Sequence, residues 1–157
     1  MFLTSKARYI LMILTDIAKY GNSEVVSPVD ISERQQIKLE YVKRLCNFMK
    51  NAGFLESFRG KGGGYKLIKD PKDMTMFDIV LASGESVKMT MCSMKGKDYP
   101  CNHKQKGDRC LNHGVWGALT IYFSHFLKNI TMEEMIVWLE EGGDYRQKIL
   151  DKFGLKL

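Results

Sequence analysis

No stretch of this chain is apolar enough to span a membrane as a helix. The run near the N-terminus, Ile10 to Leu14, is five residues long and is soon followed by Asp16, where a span needs about 20. It also lacks the small-residue cleavage site of a secretory signal, so a cytoplasmic location is expected. Disulfides are rare in that compartment, and four cysteines are therefore expected to serve metal or redox chemistry. Catalytic constellations are missing too: there is no Ser/His/Asp set, no pair of carboxylates in an apolar setting and no internal repeat. An enzyme with a small-molecule substrate is not expected. What remains is a 157-residue chain, 45% apolar, enough for one domain with an appendage.

The net charge of +6 is unevenly spread. Residues 1 to 70 hold 12 Lys/Arg against 7 Asp/Glu, whereas residues 71 to 157 hold 12 against 11. A polyanion partner for the first half is one reading and a solvated basic face is the other, so the local pattern decides. Thr4 or Ser5 can cap a first helix with Ile10, Ile13, Leu14, Ile17 and Ala18 at helical spacing, ended by Gly21 and Asn22. Ser27 and Pro28 announce a second helix, with Asp30 as an acidic capping-box partner. After a break near Gln35 to Ile37, a third helix is expected from about Lys38 to Lys50. Its apolar stripe is Leu39, Val42, Leu45, Cys46 and Met49, which makes Cys46 a small core residue. Lys38, Glu40, Tyr41, Lys43, Arg44, Asn47 and Lys50 stay outside, as on the recognition helix of a helix-turn-helix.

Phe54 to Lys69 holds two short β-rich runs flanking Arg59, Gly60, Lys61, Gly62, Gly63 and Gly64. This pattern reads as a wing, with glycines allowing a tight tip and Arg59 and Lys61 placing charge near DNA. A phosphate loop would need Lys-Ser/Thr and a helix next, but Tyr65, Lys66 and Leu67 continue as strand. Pro71 leads to a helix around Met74 to Ala82. From Asn112 a long helix is expected, with Trp116, Leu119, Phe123, Phe126 and Ile130 as a seam for its own N-terminal helix or a second copy. Thr131 and Glu134 form a capping box for a following helix. The expected fold is mainly α with a small β wing. Its parts are a winged helix-turn-helix domain (1–83), a ligand-binding loop (84–111), a dimerisation helix with the helix after it (112–140) and a tail (141–157).

Cys92, Cys101, Cys110 and His113 fall within 22 residues, in a stretch whose residues 92 to 110 are polar, aperiodic and carry five Lys/Arg. Three thiolates and an imidazole make a soft cage for a transition metal or an iron-sulfur cluster. Structural zinc takes such sets, but usually through close Cys-x(2 to 4)-Cys knuckles, and the wider spacing here favours a cluster. A metal-free thiol sensor is the other alternative, with Cys101 and Cys110 coupling on oxidation and Lys104, Lys106 and Arg109 favouring thiolate. His103 and His125 are read as non-ligands.

These residues carry a family resemblance. Leu3-Thr4-Ser5-Lys6 with Arg8-Tyr9, Asp30-Ile31-Ser32-Glu33-Arg34, Arg59-Gly60 with Gly62-Gly63-Gly64-Tyr65, and Asn129-Ile130-Thr131 resemble the Rrf-two family of bacterial regulators over roughly residues 1 to 135. Cys110-Leu111-Asn112-His113 resembles the Cys-x-x-His that ends the ligand set of its iron-sulfur members. The resemblance implies a homodimer on a pseudo-palindromic double-stranded operator, with winged domains at either end of a long crossing helix. It makes Cys92, Cys101, Cys110 and His113 cluster ligands and puts Lys38, Glu40, Tyr41, Lys43, Arg44, Arg59, Lys61 and Gly62 on the DNA. Lys38 and Lys43 stand where the resemblance leads one to expect Ser and Glu. Arg8 stands where the nitric-oxide-sensing branch has an acidic ligand. With one neutral His among the ligands, a 2Fe-2S cluster is favoured over 4Fe-4S.

Overall fold

Ala7, Ile10, Ile13, Leu14 and Ile17 share one face of helix α1 (Ser5–Gly21), and all five are almost wholly buried. Each such aliphatic side chain larger than alanine contributes roughly 1.5–3 kcal/mol on burial. The structure, a computed structural model, describes residues 4–21, 24–90, 111–142 and 144–155, with the side chains of 111–113 outside the description. Thr4, a possible cap for α1, turns its N–H and hydroxyl to the Glu85 carboxylate.

Helix α2 (Pro28–Gln35) begins at Ser27, whose Oγ accepts the Val29 N–H at 3.1 Å. That is one residue earlier than a box with Asp30 would place it. Gln36 ends α2 in the left-handed region, with φ 54°. The chain then enters α3 (Leu39–Asn51), burying Val42, Leu45, Cys46 and Met49 and leaving Leu39 half-buried. These side chains meet α1, Ile31, Phe54 and Leu55 in one core. An ion pair locks α1 to α2: Asp16, with a fully buried side chain, accepts from Arg34 Nη2 at 2.6 Å and Nε at 3.0 Å. Gln35 Nε2 adds a bond of 2.8 Å.

The wing is an antiparallel pair, β1 (Leu55–Phe58) and β2 (Gly64–Leu67), with Leu55 opposite Leu67 and Phe58 opposite Gly64. The start of β2, next to the tip, is tied to the turn before α2, because Tyr65 and Val26 exchange both backbone hydrogen bonds at 2.9 Å. Gly64 lies so close to that turn that a Cβ there would stand 2.2 Å from the Val26 carbonyl oxygen.

Beyond a 3-10 turn at Pro71–Asp73, Met74 is extended and α4 (Met76–Ala82) starts two residues later than its composition suggests. Thr75 and Asp78 supply a reciprocal capping box. The long helix α5 (Leu111–Lys128) and α6 (Met132–Glu141) follow, the latter started by the Thr131–Glu134 box, and α7 (Tyr145–Lys152) occupies the tail. The seam of α5 divides. Phe123, Phe126 and Leu127 pack with Val80 and Val87, so the end of the helix rests on α4 and the irregular segment after it. Ile130, expected on that helical seam, lies beyond its end in the extended link to α6 and is buried. Met132, the first residue of α6, joins the core of α1 to α3.

Candidate nucleic-acid interface and ligand segment

Helix α3 turns its buried stripe toward α1, and this presents Lys38, Glu40, Lys43, Arg44, Asn47 and Lys50 to solvent. Lys38 is the N-cap residue and makes no side-chain capping bond. Lys43 Nζ donates to Glu40 Oε1 at 2.9 Å. Tyr41, expected on the outer face, is half-buried: its ring meets Tyr9 edge to face at 5.6 Å between centroids. Arg44 lies 4.7 Å over the Tyr41 ring, so Tyr41 acts as a platform for that guanidinium.

The wing tip, Arg59 to Gly63, stands beside this face. Arg59, Lys61 and Gly62 are exposed, and Gly62 has φ 85°, a conformation that a side chain would strain. The tertiary fold brings Lys43 and Arg59 to one cleft of about 360 Å³, shared with Pro28, Ser57, Phe58 and Tyr65. Burial pushes the Tyr65 phenol above its ordinary pKa, helped by nearby Cys46 and opposed by Lys43, so it remains a neutral donor. Pro28, Ser57 and Phe58 also line the cleft and were not expected there from sequence. An exposed aromatic ending a strand just before Arg59 was the available signal. The arrangement puts two cations and neutral donors on a concave face between a helix and a hairpin, which suits the backbone and groove of DNA.

Cys92, Cys101 and Cys110 lie outside the described residues, as does the side chain of His113. Among the described residues no group of three or more His, Cys, Asp or Glu could hold a metal ion. The described Cys46 is fully buried, and burial pushes its thiol up to about 12, so it is poorly suited to ligation. His125 is an exposed residue in the last turn of α5.

The anchors on either side of the cysteines are described. Lys6 Nζ donates to the Ser83 carbonyl at 2.7 Å and lies 3.6 Å from the centre of the Phe48 ring on α3. Val87 is buried against Val80 and Leu127, and the Met89 N–H donates to Thr120 Oγ1 at 3.1 Å. The chain therefore reaches residue 90 beside the middle of α5 and re-emerges at Leu111, that helix's first residue. Thr120 and Leu111 are nine positions apart on α5, roughly 13 Å of helical rise. Farther up α5, Val115 is 64% exposed, Ile121 68% and Tyr122 54%, with Trp116 and Leu119 at 40% each.

Comparison with known proteins agrees with this architecture. The model of the Rrf2 family, described as iron-dependent transcriptional regulators, matches residues 3–137. The chain is 40% identical over 136 residues to the HTH-type transcriptional regulator IscR of Vibrio campbellii (strain ATCC BAA-1116), covering 87% of this chain and 77% of that protein. It is 38% identical over 154 residues to IscR of Klebsiella pneumoniae (strain 342), covering 98% and 86%. Among solved structures, T. potens IscR superposes with a TM-score of 0.70 at 25% identity, covering 94% and 96% of the two chains. The global cysteine regulator CymR (YrzC) of B. subtilis shares the fold, with a TM-score of 0.71 at 21% identity over 87% and 97%. With a winged helix-turn-helix in its structure and regulators rather than enzymes as its relatives, this chain belongs to the Rrf2 family of DNA-binding transcriptional regulators.

Proposed function

We infer that the chain is a homodimeric, cytoplasmic regulator that binds a double-stranded operator through α3 and the wing. It senses iron-sulfur status, or redox and nitrosative stress, through a cluster held by Cys92, Cys101, Cys110 and His113. The observation that carries this reading is the anchoring of Met89, through its N–H, to Thr120 on the helix that begins at Leu111. The chain before the cysteines is thus fastened to the same helix that the chain after them begins, which suits a set of ligands closing on one site. Three thiolates and an imidazole fit a cluster in their donor chemistry, and kinship with iron-dependent regulators supports iron in that cage. A bound cluster would supply a redox-active, oxidation-sensitive centre, and 2Fe-2S is favoured over 4Fe-4S.

The remaining parts of the mechanism belong to the chain's own residues. Lys43, Arg44, Arg59 and Lys61 bind DNA, while Lys6 and Val87 hold the root of the ligand segment against the winged domain. The apolar face of α5 before Phe123, which carries no charged residue from Leu111 to Leu127, is suited to a second copy. No small-molecule substrate is needed for this action. Among the described residues, no helix is long and apolar enough to cross a membrane.

Anaerobically purified full-length protein tests the reading. Visible charge-transfer bands should be present, and Ala at Cys92, Cys101 or Cys110 should abolish them while far-ultraviolet circular dichroism stays unchanged. Loaded and stripped forms should differ in operator affinity by roughly 5- to 150-fold, the usual range of allosteric coupling. Zinc without visible bands, thiols alone, or equal affinity of the two forms on every selected operator would overturn cluster sensing.

A further inference from the structure

Glu40 is the one acidic side chain on the solvent face of α3, amid Lys38, Lys43, Arg44 and Lys50. Near DNA a carboxylate is repelled by every phosphate, so it weakens non-specific binding and needs a donor on the nucleic acid to be useful. Its position is the second residue of the helix, in the turn that meets base edges when a recognition helix enters the major groove. Its side chain is 84% exposed. Oε1 accepts from Lys43 at 2.9 Å, whereas Oε2 has no hydrogen bond among the described residues. An exposed pair three residues apart contributes little to stability, so folding gives no strong account of this carboxylate.

In the major groove the base-edge donors are the exocyclic amines, cytosine N4 and adenine N6. Adenine offers an acceptor, N7, beside its amine, and guanine presents two acceptors, both unfavourable to a carboxylate. Cytosine alone presents a donor with no acceptor on its own edge, and its paired guanine offers O6 and N7 to a neighbouring ammonium. Lys43 lies beside Glu40 on the same face, at the cleft it shares with Arg59.

We propose that Glu40 is a specificity-determining residue that accepts a hydrogen bond from cytosine N4 in each half-site, with Lys43 positioned by it toward the guanine of that pair. The proposal rests on the reading that α3 enters the major groove. Within that reading it assigns selectivity to the carboxylate and affinity to the surrounding cations.

Selection from a randomised duplex library, with the full-length dimer at fixed salt, is the test. Wild type should enrich a C·G pair at one position per half-site and discriminate against the other pairs there by about 5- to 150-fold. Glu40→Ala should lose that preference while binding unrelated duplexes more tightly and keeping its circular dichroism. Glu40→Gln should move the preference toward adenine, which an amide reads through N6 and N7. Lys43→Met should keep the cytosine but weaken binding and flatten the salt dependence. An unchanged preference in Glu40→Ala overturns the proposal and leaves the DNA-binding reading intact. A wild type without sequence preference, whose binding is also indifferent to Arg59→Ala and Lys61→Ala, overturns both.

Discussion

Thr75 and Thr131 lie opposite each other in an antiparallel bridge, and each is also the N-cap of the helix that follows it. The Met76 N–H donates to the Ile130 carbonyl and the Met132 N–H to the Met74 carbonyl, both at 2.9 Å. Two capping boxes are thereby set side by side, fixing α4 and α6 at a common origin. Through this junction the chain, having left along α5, returns Met132 to the central core.

Removing the hydroxyl at that junction should cost about 1 kcal/mol in Thr131→Ala, read by urea denaturation, because an N-cap is lost. The double variant with Thr75→Ala should depart from additivity, since the two caps share one bridge. Acid should act on the same site. Burial raises the Glu134 pKa, but the bonds from Lys152 and the Thr131 N–H together outweigh it and leave it below its ordinary 4.5. Its contribution is therefore full above that value and lost as pH falls through the lowered one. The melting-temperature difference between wild type and Glu134→Gln should shrink toward zero in acid; a constant difference would contradict this origin.

Arg34→Met should destabilise the fold by roughly 3 kcal/mol, because it leaves the Asp16 carboxylate buried with Gln35 as its remaining partner. Replacing both members, Asp16→Leu with Arg34→Met, should recover part of that loss. Equal stability of Arg34→Met and wild type in chemical denaturation would show that the pair is dispensable.

Cys46 should resist alkylation at pH 8 in the folded protein and react on unfolding. A thiol pushed up to about 12 and enclosed by core side chains offers almost no thiolate. Mass-spectrometric counting of labelled cysteines checks this, and labelling of Cys46 under native conditions would contradict the burial. Cys46→Ala should keep any visible bands, unlike the other three cysteine variants.

A charge placed on the open face of α5, as in Ile121→Glu, should dissociate the proposed dimer at micromolar concentration with little change in helicity. Ile121 is 68% exposed in the single chain. Burying each such side chain against a partner is worth roughly 1.5–3 kcal/mol. Sedimentation velocity decides; a wild type that stays monomeric would remove the basis of the prediction.

Arg59→Ala should weaken operator binding by roughly 1 to 3 kcal/mol in fluorescence anisotropy and alter which sequences are preferred. Uniform weakening on all duplexes, with a shallower salt slope, would make Arg59 a phosphate contact instead.

The helices were legible in the sequence because their signals are local and periodic. Ser27-Pro28 and Thr131 with Glu134 mark helix starts by side-chain chemistry that works within one turn, and the stripe of α3 repeats often enough to fix its buried face. Relations between distant residues left weaker marks. Asp16 reads as a polar break in an apolar face, since nothing local announces Arg34 eighteen positions away. The Val26–Tyr65 bridge is a single pair and has no period to detect. Ile130 continues a helical spacing that its backbone has already left, and Tyr41 looks external until α1 supplies Tyr9. Of the site, the cations of α3 and the wing were legible, whereas the cleft joining them needed the tertiary fold.

The tight seating of Gly64 against Val26 makes the wing part of the same rigid piece as the helix-turn-helix. A hairpin hinged freely at its base would follow whatever groove it met. Here the gap between the α3 face and Arg59 is set before DNA arrives, like the jaws of a calliper locked at one opening. If α3 and Arg59 contact DNA as proposed, duplexes whose local groove width departs from that setting would have to deform to fit, and the energy of bending would become a criterion of choice at base pairs no side chain touches.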